Sequence, residues 1–148
     1  MSKAPFYIYI VYRYLYRIRI PILPKILMIF NRIIFGAYVP PSCSLGAGTR
    51  FGYGGSGVVI HARAIIGKNC LIGPGVTIGG RSRIYEVPVI GDDVYIGGGA
   101  KILGNVKIGS NVVIGANAVV IKDIPNNSVV AGVPGRIIHQ NIDPKDYI

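Results

Sequence analysis

The sequence predicts an all-β domain wound as a parallel β-helix, and three features of its middle and C-terminal part carry this prediction. An aliphatic residue recurs at every sixth position, a glycine usually follows it directly, and a small or β-branched residue stands four positions after it. Six residues suffice for one short strand and one turn, so three such units make a triangular coil, and coils stack at about 4.8 Å. An α-helix is disfavoured, because a period of six holds no single helical face and glycine is frequent.

The repeat can be followed from residue 66 to residue 120. The aliphatic positions are Ile66, Ile72, Ile78, Ile90, Ile96, Ile102, Ile108, Ile114 and Val120. The glycines that follow are Gly67, Gly73, Gly79, Gly91, Gly97, Gly109 and Gly115. The small or β-branched positions are Cys70, Val76, Val94, Ala100, Val106, Val112 and Ala118. We expect the aliphatic residues to point inward and the glycines to supply corner backbone angles that other residues avoid.

The register is interrupted between Ile78 and Ile90. Pro88 stands where a small inward residue belongs, which fits the repeat poorly. We interpret residues 80–88 as a loop that leaves one coil. The alternative is two imperfect six-residue units, since Ile84 is in register. The expected organisation is an N-terminal segment over 1–40, a β-helix over 41–138 and a C-terminal tail over 139–148.

The N-terminal segment is basic, apolar and rich in tyrosine. The formal net charge of the chain is +10, and its first acidic residue is Glu86. Residues 25–35 have a helix-like composition, whereas the tyrosine and isoleucine alternation before Pro21 fits a helix or a strand. One hypothesis is that residues 5–36 make peripheral contact with the inner membrane face of an otherwise cytoplasmic protein. The alternative is a cap over the open first coil. Nucleic-acid binding is disfavoured, because no recognised module accompanies the charge.

The repeat resembles the hexapeptide-repeat acyltransferases. The segments that carry the resemblance are GVVIHARAIIGKNCLIGPGVTIGG, VPVIGDDVYIGGGAKILGNVKIGSNVVIGANAVVIKDIP and AGVPGRII, which are similar to serine acetyltransferases and related polysaccharide O-acetyltransferases. The resemblance implies left-handed coils, a homotrimer and acetyl-CoA bound in a groove between two subunits. It also implies backbone contacts to the donor from Gly99, Ala100 and Ala118, and phosphate contacts from Lys122 and Arg136.

His61 is the candidate general base, since the only other histidine, His139, lies beyond the last coil. A hydroxyl must lose its proton as it attacks a thioester, and an imidazole suits that task near neutral pH. His61 stands where the repeat usually has glycine, and its segment resembles the VIHPDA-type segment of the shorter polysaccharide enzymes. The alternative is an exposed corner residue. Glu86 is a candidate to orient His61 across a trimer interface, with a solvated charge as the alternative.

The sequence also departs from the serine acetyltransferase pattern. The Asp-His pair of those enzymes corresponds here to Tyr53 and Gly54, and the segment before the β-helix is short. We therefore expect an O-acetyltransferase that acts on a sugar or surface-polysaccharide hydroxyl. The alternatives are a serine O-acetyltransferase of cysteine biosynthesis and a non-catalytic β-helix scaffold. No metal is expected, because a β-helix metal site of the carbonic-anhydrase type needs three histidines.

Overall fold

The computed structural model describes residues 3–147 as two helices followed by a stack of three-sided coils. The helices are α1 (Ala4–Arg17) and α2 (Leu23–Phe35). Sheet 1 contains β1 (Ser44–Leu45), β4 (Ile65–Ile66), β7 (Val89–Ile90) and β10 (Lys107–Ile108). Sheet 2 contains β2 (Arg50–Phe51), β5 (Leu71–Ile72), β8 (Tyr95–Ile96), β11 (Val113–Ile114), β13 (Ser128–Ala131) and β14 (Arg136–Gln140). Sheet 3 contains β3 (Val59–Ile60), β6 (Thr77–Gly79), β9 (Lys101–Leu103) and β12 (Val119–Val120).

The predicted parallel β-helix is confirmed by the strand pairing. Neighbouring strands of each sheet are parallel, apart from β14, which runs antiparallel to β13 at the end of sheet 2. The inward aliphatic residues form the core, and Ile72, Ile78, Ile96 and Ile102 have no exposed surface. Full burial of one such side chain contributes about 1.5–3 kcal/mol, so the regular column of isoleucines accounts for much of the stability of the stack.

At five of the seven positions, the glycine after the aliphatic residue allows close stacking of coils, which corrects the role expected from the sequence. Gly97 does not have a left-handed φ. A Cβ placed on Gly97 would lie 2.6 Å from the amide nitrogen of Ala116 and 2.8 Å from the carbonyl carbon of Gly115, both in the next coil. Side chains are therefore excluded here by the neighbouring backbone and not by the backbone angle.

The left-handed corner residue stands two positions after that glycine. It is Asn69 (φ 55°), Gly99 (φ 74°) or Asn111 (φ 57°) at three of these corners. Glycine has no Cβ to clash in this region, and asparagine tolerates it better than other L-residues. Asparagines such as Asn69 and Asn111 thus adopt the corner backbone angle that we had expected of the repeat glycines.

One coil is longer than the others. Ile65 pairs with Val89, 24 positions on, whereas Val89 pairs with Lys107, 18 positions on. The additional residues lie between β6 and β7, where residues 80–86 are exposed. Pro88 is buried, and its carbonyl accepts a hydrogen bond from the Ile65 amide at 3.3 Å. The chain therefore returns to the regular path of the coil at Pro88.

The N-terminal segment is helical, and α1 covers the first coil. Phe6, Tyr9 and Tyr12 are buried in the same core cluster as the inward residues of the coils. The Tyr9 hydroxyl donates to the Cys43 carbonyl at 2.8 Å, and the Tyr12 hydroxyl donates to the Val39 carbonyl at 2.5 Å. Burial, which disfavours the phenolate, raises the pKa of both tyrosines well above the usual value. Within residues 3–147, neither these helices nor any other is long and apolar enough to span a bilayer.

Candidate active site

The stacking of sheet 3 places His61 at one edge of the prism. Ile60 pairs with Ile78, Ile78 with Ile102, and Ile102 with Val120. The residues that follow these four positions occupy equivalent places where the chain turns from sheet 3 into sheet 1. They are His61, Gly79, Leu103 and Ile121. We call this corner, with residues 61–64, 79–88, 103–106 and 121–124, the His61 edge.

His61 is half-buried and fixed by its backbone. Its amide donates to the Ile78 carbonyl at 2.8 Å, and its carbonyl accepts from the Ala64 amide at 3.0 Å. Nδ1 of the ring accepts from the Arg63 amide at 3.2 Å. A Cβ placed on Gly80 would lie 3.8 Å from Nε2, so this nitrogen lies beside the start of the exposed loop. The ring is thus held on the coil with Nε2 beside a residue that has no side chain.

Arg63 joins the coil of His61 to the loop, a contact that the sequence analysis missed. Its guanidinium lies over the Tyr85 ring at 3.7 Å from the centroid, and Nη2 donates to the Tyr85 carbonyl at 2.5 Å. Cation–π stacking and a charged hydrogen bond together hold residue 85 near the coil. A six-residue repeat gives no indication of this pairing, because Tyr85 belongs to the segment that departs from the repeat.

Glu86 follows Tyr85 on the same loop and is exposed. Within the part of the chain that the structure describes, no hydrogen bond joins Glu86 to His61. The expected orienting role of Glu86 stays a prediction, since it was placed across a boundary between subunits.

Lys122 and Arg136 line one surface cleft of about 390 Å³. The cleft is formed by residues 121–124 at the His61 edge and by residues 134–137 around the start of β14. Both cations are exposed, and the nearby Asp123 carboxylate accepts from the Lys107 amide at 2.8 Å. From His61 to Ile121 there are three steps along the stack, which amount to roughly 14 Å at the usual spacing. The structure thus brings the two predicted phosphate-binding residues together, below the predicted base on one edge.

Gly99, Ala100 and Ala118 lie at a different edge, where the chain turns from sheet 2 into sheet 3. Ala100 and Ala118 have no exposed surface. Their amides donate to the carbonyls of Gly97 and Gly115, each at 3.2 Å. The Gly99 amide donates to the Pro74 carbonyl at 2.8 Å. In the single chain these amides are engaged within the coils, and contact with a ligand at the His61 edge would have to come from a neighbouring subunit.

Both cysteines are core residues. Cys43 and Cys70 have no exposed surface, and burial raises the pKa of their thiols to about 12 and about 11. They are therefore protonated and inaccessible near neutral pH. Over residues 3–147, no three His, Cys, Asp or Glu side chains are grouped so that they could hold a metal ion.

The structure is thus a parallel β-helix of six-residue units, with a histidine and a two-cation cleft along one edge. Residues 88–122 match the family model described as bacterial transferase hexapeptide (six repeats). Over these residues the chain is similar to that transferase family.

Similar proteins agree on one acceptor. A serine acetyltransferase of Synechococcus elongatus is 41% identical over 139 residues, which cover 90% of this chain and 57% of that protein. The crystal structure of serine acetyltransferase from Brucella abortus strain S19 in complex with coenzyme A matches with a TM-score of 0.87 at 34% identity, covering 91% of this chain and 54% of that one. Soybean serine acetyltransferase complexed with serine matches with a TM-score of 0.85 at 34% identity, covering 90% of this chain and 56% of that one. The chain thus spans little more than half the length of these relatives.

The expectation of a sugar or polysaccharide acceptor is wrong on these findings, which favour the serine alternative. That expectation rested on the short basic segment before the coils and on Tyr53 and Gly54 in place of the Asp-His pair. The matches extend over nine-tenths of the chain, so they include most of the segment before the coils, and its basic composition does not separate the chain from serine acetyltransferases.

Proposed function

We propose that this chain transfers the acetyl group of acetyl-CoA to the hydroxyl of L-serine, with His61 as the general base. The observation that carries the proposal is the position of His61 and the cleft of Lys122 and Arg136 on one edge of the prism. Their separation of roughly 14 Å lets one extended donor place its phosphates at the cleft and its thioester near the imidazole. The similarity to serine acetyltransferases supports serine as the acceptor.

In this mechanism, the imidazole of His61 takes the proton of the serine hydroxyl while the oxygen attacks the thioester carbonyl. The carbon–sulfur bond then breaks, and the imidazolium returns the proton to the departing thiolate. A base at Nε2 needs the ring proton on Nδ1, which now accepts from the Arg63 amide. Substrate binding must therefore replace this 3.2 Å contact with an acceptor for Nδ1–H. Glu86 of a neighbouring protomer is our candidate acceptor.

The residues of the cleft fit the donor chemically. Acetyl-CoA carries a pyrophosphate and a ribose phosphate, and guanidinium and ammonium groups bind phosphate oxygens by charge-assisted hydrogen bonds. Ile121, Ile124 and Ile137 give the same cleft apolar walls. A neighbouring protomer completes the groove in the homotrimer that we propose.

An apolar patch beside the His61 edge supports this seam between subunits. Ile65 and Val89 pair directly in sheet 1, and both side chains are about half exposed. Tyr85, on the adjacent loop, is 75% exposed. A second prism against this patch would bury apolar surface and enclose the space beside His61.

Release of the CoA thiol tests the activity directly. The full chain is incubated with acetyl-CoA and either L-serine, nucleotide sugars or glycan fragments, and free thiol is measured by Ellman's reagent. Cys43 and Cys70 should give little background, because both are buried and protonated. We expect thiol release with L-serine alone and O-acetylserine by mass spectrometry. Release with a sugar instead would overturn the acceptor, and failure to bind acetyl-CoA in calorimetry would overturn the whole proposal.

We expect Lys122→Ala and Arg136→Ala each to raise the KM for acetyl-CoA about tenfold with little change in kcat, because each removes one charged phosphate contact. Initial rates at varied acetyl-CoA concentration measure this. Lys68→Ala is the matched control, since Lys68 is an exposed lysine on the edge between sheets 1 and 2. An unchanged KM for acetyl-CoA in both variants would show that the phosphates of acetyl-CoA do not bind in this cleft.

A further inference from the structure

The two helices before the coils form two layers. The inner helix, α1, packs its apolar side chains into the hydrophobic core, whereas the outer helix, α2, leaves most of its own exposed. α1 packs on the first coil, while α2 packs on α1. Asn31 of α2 is buried there, and its amide donates to the Pro5 carbonyl at 3.3 Å and to the Tyr12 hydroxyl at 3.4 Å. Pro24 is the other buried residue of α2. The opposite side of this helix therefore has no partner within the coils.

That outer side of α2 is apolar. Ile33 is 76% exposed and Ile34 is 61% exposed, in a helix whose only exposed charged residues are Lys25 and Arg32. The exposed large apolar side chains of α2 are Leu23, Ile26, Ile29, Phe30, Ile33 and Ile34. Their spacing of three and four residues sets them on one continuous side of the helix. A soluble surface rarely exposes so contiguous an apolar stripe without a binding role.

The exposed charges of the N-terminal segment are of one sign. Lys3, Arg17, Arg19, Lys25 and Arg32 are exposed, and no aspartate or glutamate precedes Glu86 in the sequence. The two cations of α2 itself, Lys25 and Arg32, thus have no carboxylate within the first 85 residues to neutralise them. A second copy of the chain placed symmetrically on this face would bring like charges together. An anionic lipid surface instead offers an apolar interior for the stripe and phosphates for the cations.

We propose that the outer face of α2 docks onto an anionic membrane surface, so that the protein is a peripheral membrane protein. The helix lies in the plane of the interface, with its isoleucines and Phe30 among the acyl chains and Lys25 and Arg32 at the headgroups. The hydrogen bonds of Tyr9 and Tyr12 attach α1 to the first coil, so the coils stay linked to the membrane-bound helix through α1. This inference does not depend on the proposed reaction, because it uses none of the residues of the His61 edge.

Sedimentation of the full chain with vesicles tests the docking. Vesicles of pure phosphatidylcholine are compared with vesicles that also contain phosphatidylglycerol, at low and at high salt. We expect binding to the anionic vesicles at low salt and its loss at high salt, because screening weakens attraction between exposed charges. Absence of binding to anionic vesicles, or equal binding to both lipids, would overturn the proposal.

Two variants and one control connect that binding to α2. Ile33→Glu should weaken vesicle binding tenfold or more, and Lys25→Gln should weaken it about fivefold, as expected for one basic residue near the surface. Ile138→Glu is the matched control, because Ile138 is an exposed isoleucine of β14, on another element. Equal effects of Ile33→Glu and Ile138→Glu would refute α2 as the docking element. If the wild type does not bind vesicles and Ile33→Glu changes its oligomeric state, the outer face of α2 is a contact between copies of the chain. That result would refute membrane docking.

Discussion

His61→Ala is expected to lower kcat for acetyl transfer by a factor of about 10²–10⁴, the usual contribution of a positioned general base. The KM for acetyl-CoA should stay close to that of the wild type, because the proposed phosphate site at Lys122 and Arg136 lies some three coils away. Steady-state rates with L-serine and acetyl-CoA measure both constants, and an unchanged KM also shows that the variant is folded.

His139→Ala is the control for this variant. His139 is exposed on β14, and its ring centroid lies 6.4 Å from that of Tyr147, away from the His61 edge. We expect its kcat to match the wild type. A His61→Ala enzyme that retains its kcat would exclude His61 as the base, and the search would then move to a group supplied by a neighbouring protomer.

Gly97→Ala is expected to destabilise the fold by about 1–3 kcal/mol, which is typical of an overpacked core. The new methyl group would meet the backbone of Ala116 at 2.6 Å and of Gly115 at 2.8 Å, and backbone atoms cannot move aside as a side chain does. Two stacked coils would have to separate at this corner. Thermal unfolding followed by circular dichroism should show a melting temperature lower by several degrees.

Gly79→Ala is the matched control, because Gly79 occupies the same place in its own six-residue unit. A methyl group there would lie 3.5 Å from Leu103 Cδ2 and 3.6 Å from Thr77 Cγ2, which are ordinary contacts. We expect a change of less than about 0.5 kcal/mol, or a small gain from a less flexible unfolded chain. Equal losses in both variants would mean that the glycines are needed for another reason than the stacking of coils.

The fold could be predicted because the repeat encodes it locally. Each coil repeats an inward aliphatic residue and a small or β-branched residue at fixed spacing, so Ile72, Ile78 and Ile96 could be placed in the core from the sequence. The reason why glycine is needed could not be predicted from the sequence. A repeat shows where glycine occurs but not which neighbouring atoms lie against it. Only the stacked backbone shows that Gly97 faces Ala116.

The site was harder to predict than the fold. His61 and the pair of Lys122 and Arg136 were identified singly, from chemistry and resemblance, and the stacking then places them on one edge. Arg63 was missed, because its partner Tyr85 lies in the segment that breaks the repeat. The acceptor was predicted wrongly, because the choice rested on residues outside the His61 edge, namely the leader and positions 53 and 54.

The longer coil has a consequence for how the length of the exposed segment can vary. Its excess over the regular coil equals one repeat unit, so Val89 and Ile90 resume the stack in phase with Ile65 and Ile66. A segment inserted in whole units leaves the alternation of inward and outward side chains unchanged downstream. The exposed segment of residues 80–86 can therefore change in length by whole repeat units while the coils after it keep their phase.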